Sequence, residues 1–397
     1  MPFSILRSIQ MSKFLKTLIV ALLSFTLLFA FTGCDQNDGD DTLVTGDLTY
    51  KLYEDEDDNH KYYTVTGYTV TSDDAVKMAS GDFSSFTAAQ REIEIPATYN
   101  NYPVEKIAAA AFADQVILKK VVVPATINEI GEGAFSGCTN LQELTIPFVG
   151  KTADATNEER VFGHLFGSAS TGEGNTQITA KIHQEETEAG TTFYVPASLK
   201  SVTVLGNRVP ECAFYGMAML QTVVVDSATY IGAFAFQGCS LISQVNVSAA
   251  TAIYDGAFQL CTSLQRVTLG SSLEFIGDYA FSGCSRLGLN YASNDETLCT
   301  LTLPESVTYL GKYAFSNCLE LKYVNIAATK ILEVYEGTFS SCESLEKVTV
   351  NSNIYFRAGA FSKSKKLDES KIIGAGSGKF ETGAFGKVEL PDDTEND

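Results

Sequence analysis

The sequence predicts a repeat solenoid whose concave face is lined by short parallel β-strands and whose convex face is formed by turns, loops or short helices. Three observations predict it. A phenylalanine recurs along the 397 residues, in most cases every 22 to 24 positions. Each phenylalanine stands in a phrase close to I-G-x-x-A-F-x-x-C-x-x-L, and most units carry an L-x-x-V-x-[VIL] segment. A period of this length with one such strand per unit is typical of leucine-rich-repeat-like solenoids.

The marker phenylalanine is the residue of each unit that repeats most regularly. Two steps are longer than the rest, with 79 residues from Phe135 to Phe214 and 34 from Phe281 to Phe315. Both long steps indicate inserted segments, because a solenoid accommodates extra residues in loops. The marker phenylalanines are Phe112, Phe135, Phe214, Phe236, Phe258, Phe281, Phe315, Phe339, Phe361 and Phe385.

The strand of each unit alternates apolar and polar residues. In "LQRVTL", Leu264–Leu269, the residues Leu264, Val267 and Leu269 are expected to point inward, and Arg266 and Thr268 outward. One unit cannot bury its inward residues by itself. Stacking units at the strand spacing of about 4.8 Å gives them a continuous core.

A second ladder accompanies the phenylalanines, because six cysteines lie three residues after a marker. Six cysteines in one repeat position indicate one structural environment, whereas a catalytic nucleophile would be singular. We expect buried, reduced thiols that pack in the core. Disulfides between neighbouring units are the alternative, since the spacing permits them. The expected structural ladder is Phe135, Cys138, Phe236, Cys239, Phe258, Cys261, Phe281, Cys284, Phe315, Cys318, Phe339 and Cys342.

The outward strand positions form the candidate binding surface. They are polar, weakly charged and rich in threonine, a composition that β-propensity alone also explains. The candidate binding residues are Thr145, Thr203, Thr222, Asn246, Arg266, Thr268, Thr302, Tyr323 and Asn325.

The N-terminus has the pattern of a bacterial export signal. Lys13 and Lys16 precede an uncharged apolar run that ends at Gly33, and an acidic segment begins after Cys34. "FTGC", residues 31–34, resembles a lipobox, which implies cleavage before Cys34 and its acylation. Acyl chains there would hold the protein on a membrane, and we expect a cell-surface location. An ordinary signal peptide with a nearby cysteine is the alternative.

The sequence divides into five regions. Residues 1–33 form the signal peptide, 34–47 an acidic flexible tether and 48–92 an N-terminal β cap. The solenoid spans 93–390 with an insertion at 148–194, and 391–397 is an acidic tail.

Composition excludes several classes of function. The formal charge of −20 argues against nucleic-acid binding, which needs Lys and Arg to neutralise phosphates. The three histidines, His60, His164 and His183, are far apart and are expected at the surface. We therefore predict no catalytic residue, no metal site and no cofactor. The sequence does not indicate an oligomeric state.

"IGEGAFSGCTNLQELTIP", Ile130–Pro147, resembles the repeat unit of the BspA-like leucine-rich repeat family, and the resemblance extends from Ile93 to Phe385. The segment Gly46–Tyr68 is also similar to the β-hairpin with which these proteins begin. The resemblance implies a bacterial surface lipoprotein that binds a protein ligand and attaches to host proteins or other cells. Two further classes stay open: an envelope scaffold that binds a glycan or a resident partner, and an enzyme.

Overall fold

The computed structural model describes residues 42–45, 48–55, 59–70, 72–81, 85–168, 175–180, 191–289, 296–351, 353–374 and 379–386. Within these ranges the chain is a parallel β-solenoid with few helical residues, which confirms the predicted fold class. The predicted signal peptide, Cys34 and the acidic tail 391–397 lie outside the described residues.

The elements follow one another in short steps. Their bounds are β1 (Thr42–Thr45), β2 (Leu48–Glu54), β3 (Lys61–Tyr68), α1 (Ser72–Ser80), α2 (Ala88–Arg91), β4 (Glu92–Glu94), β5 (Thr98–Tyr99), β6 (Tyr102–Ile107), β7 (Lys120–Val122), β8 (Glu129–Ile130), β9 (Glu143–Ile146), the 3₁₀ helices η1 (Asn157–Arg160) and η2 (Phe162–Leu165), β10 (Asn175–Ala180), β11 (Thr191–Pro196), β12 (Ser201–Val204), β13 (Arg208–Val209), β14 (Thr222–Val224), β15 (Tyr230–Ile231), β16 (Gln244–Val247), β17 (Ala252–Ile253), β18 (Arg266–Leu269), β19 (Phe275–Ile276), α3 (Glu296–Cys299), β20 (Thr300–Leu303), β21 (Tyr309–Leu310), β22 (Tyr323–Ile326), β23 (Leu332–Val334), β24 (Lys347–Val350), β25 (Ile354–Phe356), the 3₁₀ helix η3 (Glu369–Lys371) and β26 (Ile372–Ile373).

The predicted strand of each unit lies in a front stack, which we define as β4, β7, β9, β12, β14, β16, β18, β20, β22, β24 and β26. Its strands pair in parallel, in register, and form three sheets that end at β14, at β18 and at β26. The break after β18 coincides with the extra residues of the long Phe281–Phe315 step. At that break the inward residues Val267 and Leu269 are only half-buried.

A second row of strands runs along the opposite wall, and sequence reasoning missed it. We call β8, β13, β15, β17, β19, β21, β23 and β25 the back stack; each of these strands has two or three residues. Strands β13 to β21 pair in parallel from coil to coil, as Ile231 with Ile253 and Ile276 with Leu310, and β23 pairs with β25. The close approach of neighbouring coils explains the glycine after several of them, since a Cβ on Gly277 would lie 2.6 Å from the Asp255 nitrogen.

The marker phenylalanines form one stacked row through the core. Neighbouring rings from Phe214 to Phe385 lie 5.1 to 5.8 Å apart at their centroids, with planes within 17° of parallel. Stacked or offset aromatic pairs at such distances add roughly 0.5–1.5 kcal/mol beyond the burial of their area.

The 148–194 insertion contributes to this core as well as to the surface. Strands β9 and β12 pair directly, so the inserted residues add no strand to the front stack. Instead, the rings of Phe166 and Phe162 bridge the row between Phe135 and Phe214, with centroid separations of 6.3, 5.4 and 5.1 Å. Part of the insertion therefore replaces the missing coil, while β10 and β11 form a separate hairpin.

Each marker phenylalanine from Phe112 to Phe361 lies between two residues in the left-handed backbone region. Two positions before the marker, φ is positive in every described unit, and the residue is glycine in some coils but Ala110, Phe234 or Tyr313 in others. Two positions after the marker, the same holds for Gly238, Gly283 and their equivalents. Left-handed backbone is disfavoured for residues other than glycine, so the solenoid's turn is imposed by packing in the coils that lack glycine.

The cysteine of each unit is buried beside the phenylalanine row. All six cysteines of the predicted position are free thiols with no exposed surface. Each Sγ lies 3.1 to 3.4 Å from the carbonyl oxygen of the marker phenylalanine one coil earlier and donates a hydrogen bond to it. In the next coil Ser364 occupies the same position, and its Oγ donates to the Phe339 oxygen at 2.7 Å.

The N-terminal cap joins the back stack edge to edge. Strands β1, β2 and β3 are antiparallel neighbours, and β3 then pairs in parallel with β6, which pairs with β8. The predicted hairpin is thus β2–β3, and Tyr50, Tyr63 and Val65 bury its inner side against the first coils.

Candidate binding surfaces

The outward residues of the front stack form two columns. The first residue of each strand makes one column and the third residue makes the other, because side chains alternate along a strand. All nine predicted binding residues lie in these columns and reach solvent.

The structure divides the nine residues into three groups, one per sheet. Thr145 faces Thr203 across the β9–β12 pair, and Thr222 lies beside Ser201. Asn246 faces Thr268, and Arg266 faces Gln244.

In the third sheet Thr302 faces Asn325, and Tyr323 lies between Thr300 and Lys347. The sequence predicted the columns but not the two breaks. The break after β18 coincides with the extra residues before β20, whereas the break after β14 falls in units of regular length.

Charged contacts are confined to the two ends of the front stack. Lys120 pairs with Glu143 at 3.6 Å near the N-terminal end, and Lys347 pairs with Glu296 at 2.6 Å near the C-terminal end. Between them, in the described part of the chain, the columns contain no ion pair. This middle section is a polar, nearly neutral surface with hydroxyl and amide groups.

Some outward positions escaped the sequence prediction. Val122 and Val224 stand in the third-residue column beside Thr145 and Thr203, which places apolar side chains within the polar surface. Glu92 and Glu94 occupy the two outward positions of β4. The strand pattern of "EIE" is too short to be distinguished from a turn without knowing where the first coil begins.

The back stack also carries an outward surface, and it is aromatic. Rings of Tyr230, Tyr254, Phe275, Tyr309 and Tyr335 follow one another there, each half-buried. The Arg208 guanidinium lies 4.9 Å from the Tyr230 ring centroid at one end of the row. Sequence reasoning missed this row because its members are divided between two positions of the unit, four and six residues before the marker phenylalanine.

The histidines do not behave alike, and one prediction was wrong. His164 was expected at the surface, but it is buried in η2 because the insertion folds into the core, and its Nε2 lies 3.3 Å from the Ile130 oxygen. Burial lowers its pKa. His60 is exposed and contacts Glu105 at 2.7 Å, and His183 lies outside the described residues.

Within the described ranges no three His, Cys, Asp or Glu side chains come close enough together to hold a metal ion. None of the helices described has the length and apolar character needed to cross a membrane.

Comparison with known families decides what kind of repeat this is. The model of the BspA-type leucine-rich repeat region matches the chain in six copies, over residues 77–155, 189–298 and 290–390. The chain belongs to this family. The BspA-type matches leave out most of the insertion, in agreement with its separate hairpin.

Several solved structures are similar to this BspA-type chain. A leucine-rich repeat protein from Bacteroides ovatus is 20% identical, with 84% of this chain and 76% of that one covered and a TM-score of 0.41. A leucine-rich cell surface protein from Faecalibacterium prausnitzii is 19% identical, with coverages of 89% and 100% and a TM-score of 0.29. The pneumococcal vaccine antigen PcpA is 13% identical, with coverages of 87% and 99% and a TM-score of 0.29. No curated protein matches the chain.

Proposed function

We propose that this BspA-type protein is exported, anchored to a bacterial membrane through acylated Cys34, and binds a protein ligand at the cell surface in an adhesin-like role. The observation that carries the binding part is the middle section of the front stack. From Thr145 to Asn325 it presents accessible hydroxyl, amide and guanidinium groups on a rigid parallel scaffold. Rows of such groups on a solenoid form the extended surfaces that repeat proteins use for binding.

The anchoring part rests on the sequence alone. A basic start, an apolar run and the small Gly33 before Cys34 support export and lipidation. Removal of residues 1–33 also removes Arg7, Lys13 and Lys16, which takes the charge of the mature chain from −20 to −23.

Protease treatment of intact cells tests the location. We expect mass spectrometry to find peptides from the solenoid in the supernatant, while a periplasmic control protein stays intact. A Cys34→Ala variant should lose its membrane attachment. If the solenoid is completely protected from the protease, the adhesin-like role is excluded and an envelope scaffold becomes the proposed function.

Charge substitution tests the front stack. Thr268→Lys with Thr302→Lys places two cations in the columns, and we expect attachment to immobilised host matrix proteins or cells to fall at least tenfold. The matched control is Thr262→Lys with Ser271→Lys, which adds the same charge at exposed turn positions. Equal binding by the two double variants would exclude this surface.

A further inference from the structure

The aromatic row of the back stack forms a second continuous surface, which we call the back strip. It consists of Tyr230, Tyr254, Phe275, Tyr309 and Tyr335, from five successive coils. Their centroids are separated by 4.8, 5.2, 4.8 and 6.2 Å. The strip lies on the wall opposite the front stack, so a partner on one surface leaves the other free.

The rings of the back strip pack against one another along the row, with interplanar angles of 41°, 41°, 6° and 43°. Phe275 and Tyr309 are stacked with planes 6° apart, so each ring covers a face of the other. Burial and then the nearby carboxylates of Asp278 and Asp255 raise the pKa of Tyr309 above its usual value, so this hydroxyl stays protonated. A ligand on the strip therefore meets an apolar ridge with hydroxyl groups along it.

Carboxylates that lack a cationic partner border this ridge. On the back wall the described ion pairs include those that join Lys106 to Glu129, Arg160 to Glu211 and Arg357 to Glu333. In the described part of the chain, no ion pair includes the four other carboxylates that border the strip. These four are Asp255, Glu274, Asp278 and Glu336.

The backbone holds two of these carboxylates in place. Asp255 Oδ1 accepts a hydrogen bond from the Asp278 N–H, and Asp278 Oδ1 accepts one from the Lys312 N–H, both at 2.8 Å. Tyr313 donates its hydroxyl hydrogen to Glu336 at 3.0 Å. Three of the four bordering carboxylates, those of Asp255, Asp278 and Glu336, are thus held in place by hydrogen bonds.

We infer that the back strip is a docking surface for a basic polypeptide segment. Lysine and arginine side chains combine an apolar stem with a charged head, so their stems would pack on the exposed parts of the rings while their heads reach the bordering carboxylates. Tyrosine-rich surfaces are also enriched at protein interfaces. This surface goes beyond the front-stack binding proposed above and does not depend on it.

Two other occupants fit the strip less well. A neutral glycan stacks on open ring faces, whereas Phe275 and Tyr309 each cover one face of the other. A second copy of this chain would bring the same four carboxylates against their equivalents, and like charges facing one another oppose binding.

The experiment measures fluorescence anisotropy of a labelled peptide of alternating arginine and leucine with purified residues 35–397 at physiological salt. We expect Asp255→Asn with Asp278→Asn to weaken binding at least fivefold, although each asparagine keeps the oxygen that accepts the backbone hydrogen bond. The matched control, Glu305→Gln with Glu343→Gln, changes the net charge equally at exposed sites elsewhere and should change binding less than twofold.

A second variant tests the aromatic part. Tyr230→Ser with Tyr309→Ser should also weaken binding at least fivefold, with folding checked by circular dichroism. Equal loss in the control and in the carboxylate variant would show that net charge alone binds the peptide and would overturn the inference. Binding of cellohexaose that the tyrosine variant abolishes, or concentration-dependent dimers that it dissociates, would overturn it in favour of a glycan or a second copy.

Discussion

The thiol of Cys239 donates a hydrogen bond of 3.1 Å to the carbonyl oxygen of Phe214, one coil earlier in the solenoid. The same oxygen also accepts the Met217 N–H at 3.2 Å. The thiol therefore links two coils through a group that is already satisfied within its own coil. Five other cysteines repeat this link, so the position selects for a small side chain with a weak donor.

Replacement of Cys239 tests the importance of that donor. We expect Cys239→Ser to stay within about 1 kcal/mol of the wild-type free energy of unfolding. The reason is that Ser364, at the equivalent position of a later coil, makes the same hydrogen bond. Cys239→Ala removes both donor and volume and should cost about 1–2 kcal/mol. Urea titration followed by circular dichroism measures both, and a serine variant less stable than the alanine variant would contradict this role of the hydrogen bond.

Buried thiols also predict how stability depends on pH. Burial raises the pKa of Cys261 and of Cys342 from 9.0 to about 12. The unfolded chain loses these protons above pH 9 while the folded chain keeps them, so the free energy of unfolding should fall between pH 9 and 12. Below pH 9 neither state ionises and the contribution is complete. A Cys261→Ser variant should show a shallower fall in urea midpoints than the wild type; parallel curves would refute the assignment.

The left-handed position before each marker phenylalanine predicts a stabilising substitution. Ala110 has a φ of 55° and is exposed. Ala110→Gly relieves the left-handed strain and should raise the free energy of unfolding by about 0.5–1 kcal/mol. Ala109, its exposed neighbour, is the control, since Ala109→Gly only adds backbone entropy to the unfolded state and should lower stability by a similar amount. Differential scanning calorimetry measures the melting temperatures, and the two substitutions should shift them in opposite directions.

The insertion should be as sensitive to truncation as the repeats. Phe162 has no exposed surface and its ring contacts those of Phe166 and Phe214. Phe162→Ala should cost about 3–5 kcal/mol, the range for buried phenylalanines. Ile331→Ala serves as the control, since Ile331 is 68% exposed. Surface substitutions usually change the free energy of unfolding by less than about 1 kcal/mol. A decrease of that size for Phe162→Ala would show that the insertion is not part of the core.

The parts of the fold that repeat could be predicted, and the parts that depend on contacts between unlike segments could not. The front strands and the Phe236–Cys239 type of spacing follow from a period visible in the letters. The back stack was missed because two residues such as Tyr230 and Ile231 give no alternation to detect. The role of Phe162 was missed because its partners lie in coils separated by the insertion, so no fixed spacing records the contact.

The candidate sites show the same division. The front columns follow from strand alternation, and the nine residues chosen from the sequence all reach solvent. The back strip depends on Tyr254 filling the place next to Ala252, whose small side chain leaves room between Tyr230 and Phe275. An aromatic ring contributed from a different position of the unit can be recognised only when the coils are stacked in the structure.

Coil-to-coil contacts are interchangeable along the array. The Phe236 N–H donates to the Ala257 oxygen, the Phe258 N–H to the Ala280 oxygen and the Phe281 N–H to the Ala314 oxygen, each at 2.7 Å. The last bond is as short as the others although 11 more residues separate its coils than the preceding pair. Unequal recombination within the gene could therefore add or remove a whole coil without creating a new kind of junction. Each such event would change the length of the solenoid by about 4.8 Å. The distance that the solenoid spans can therefore evolve in small, regular steps.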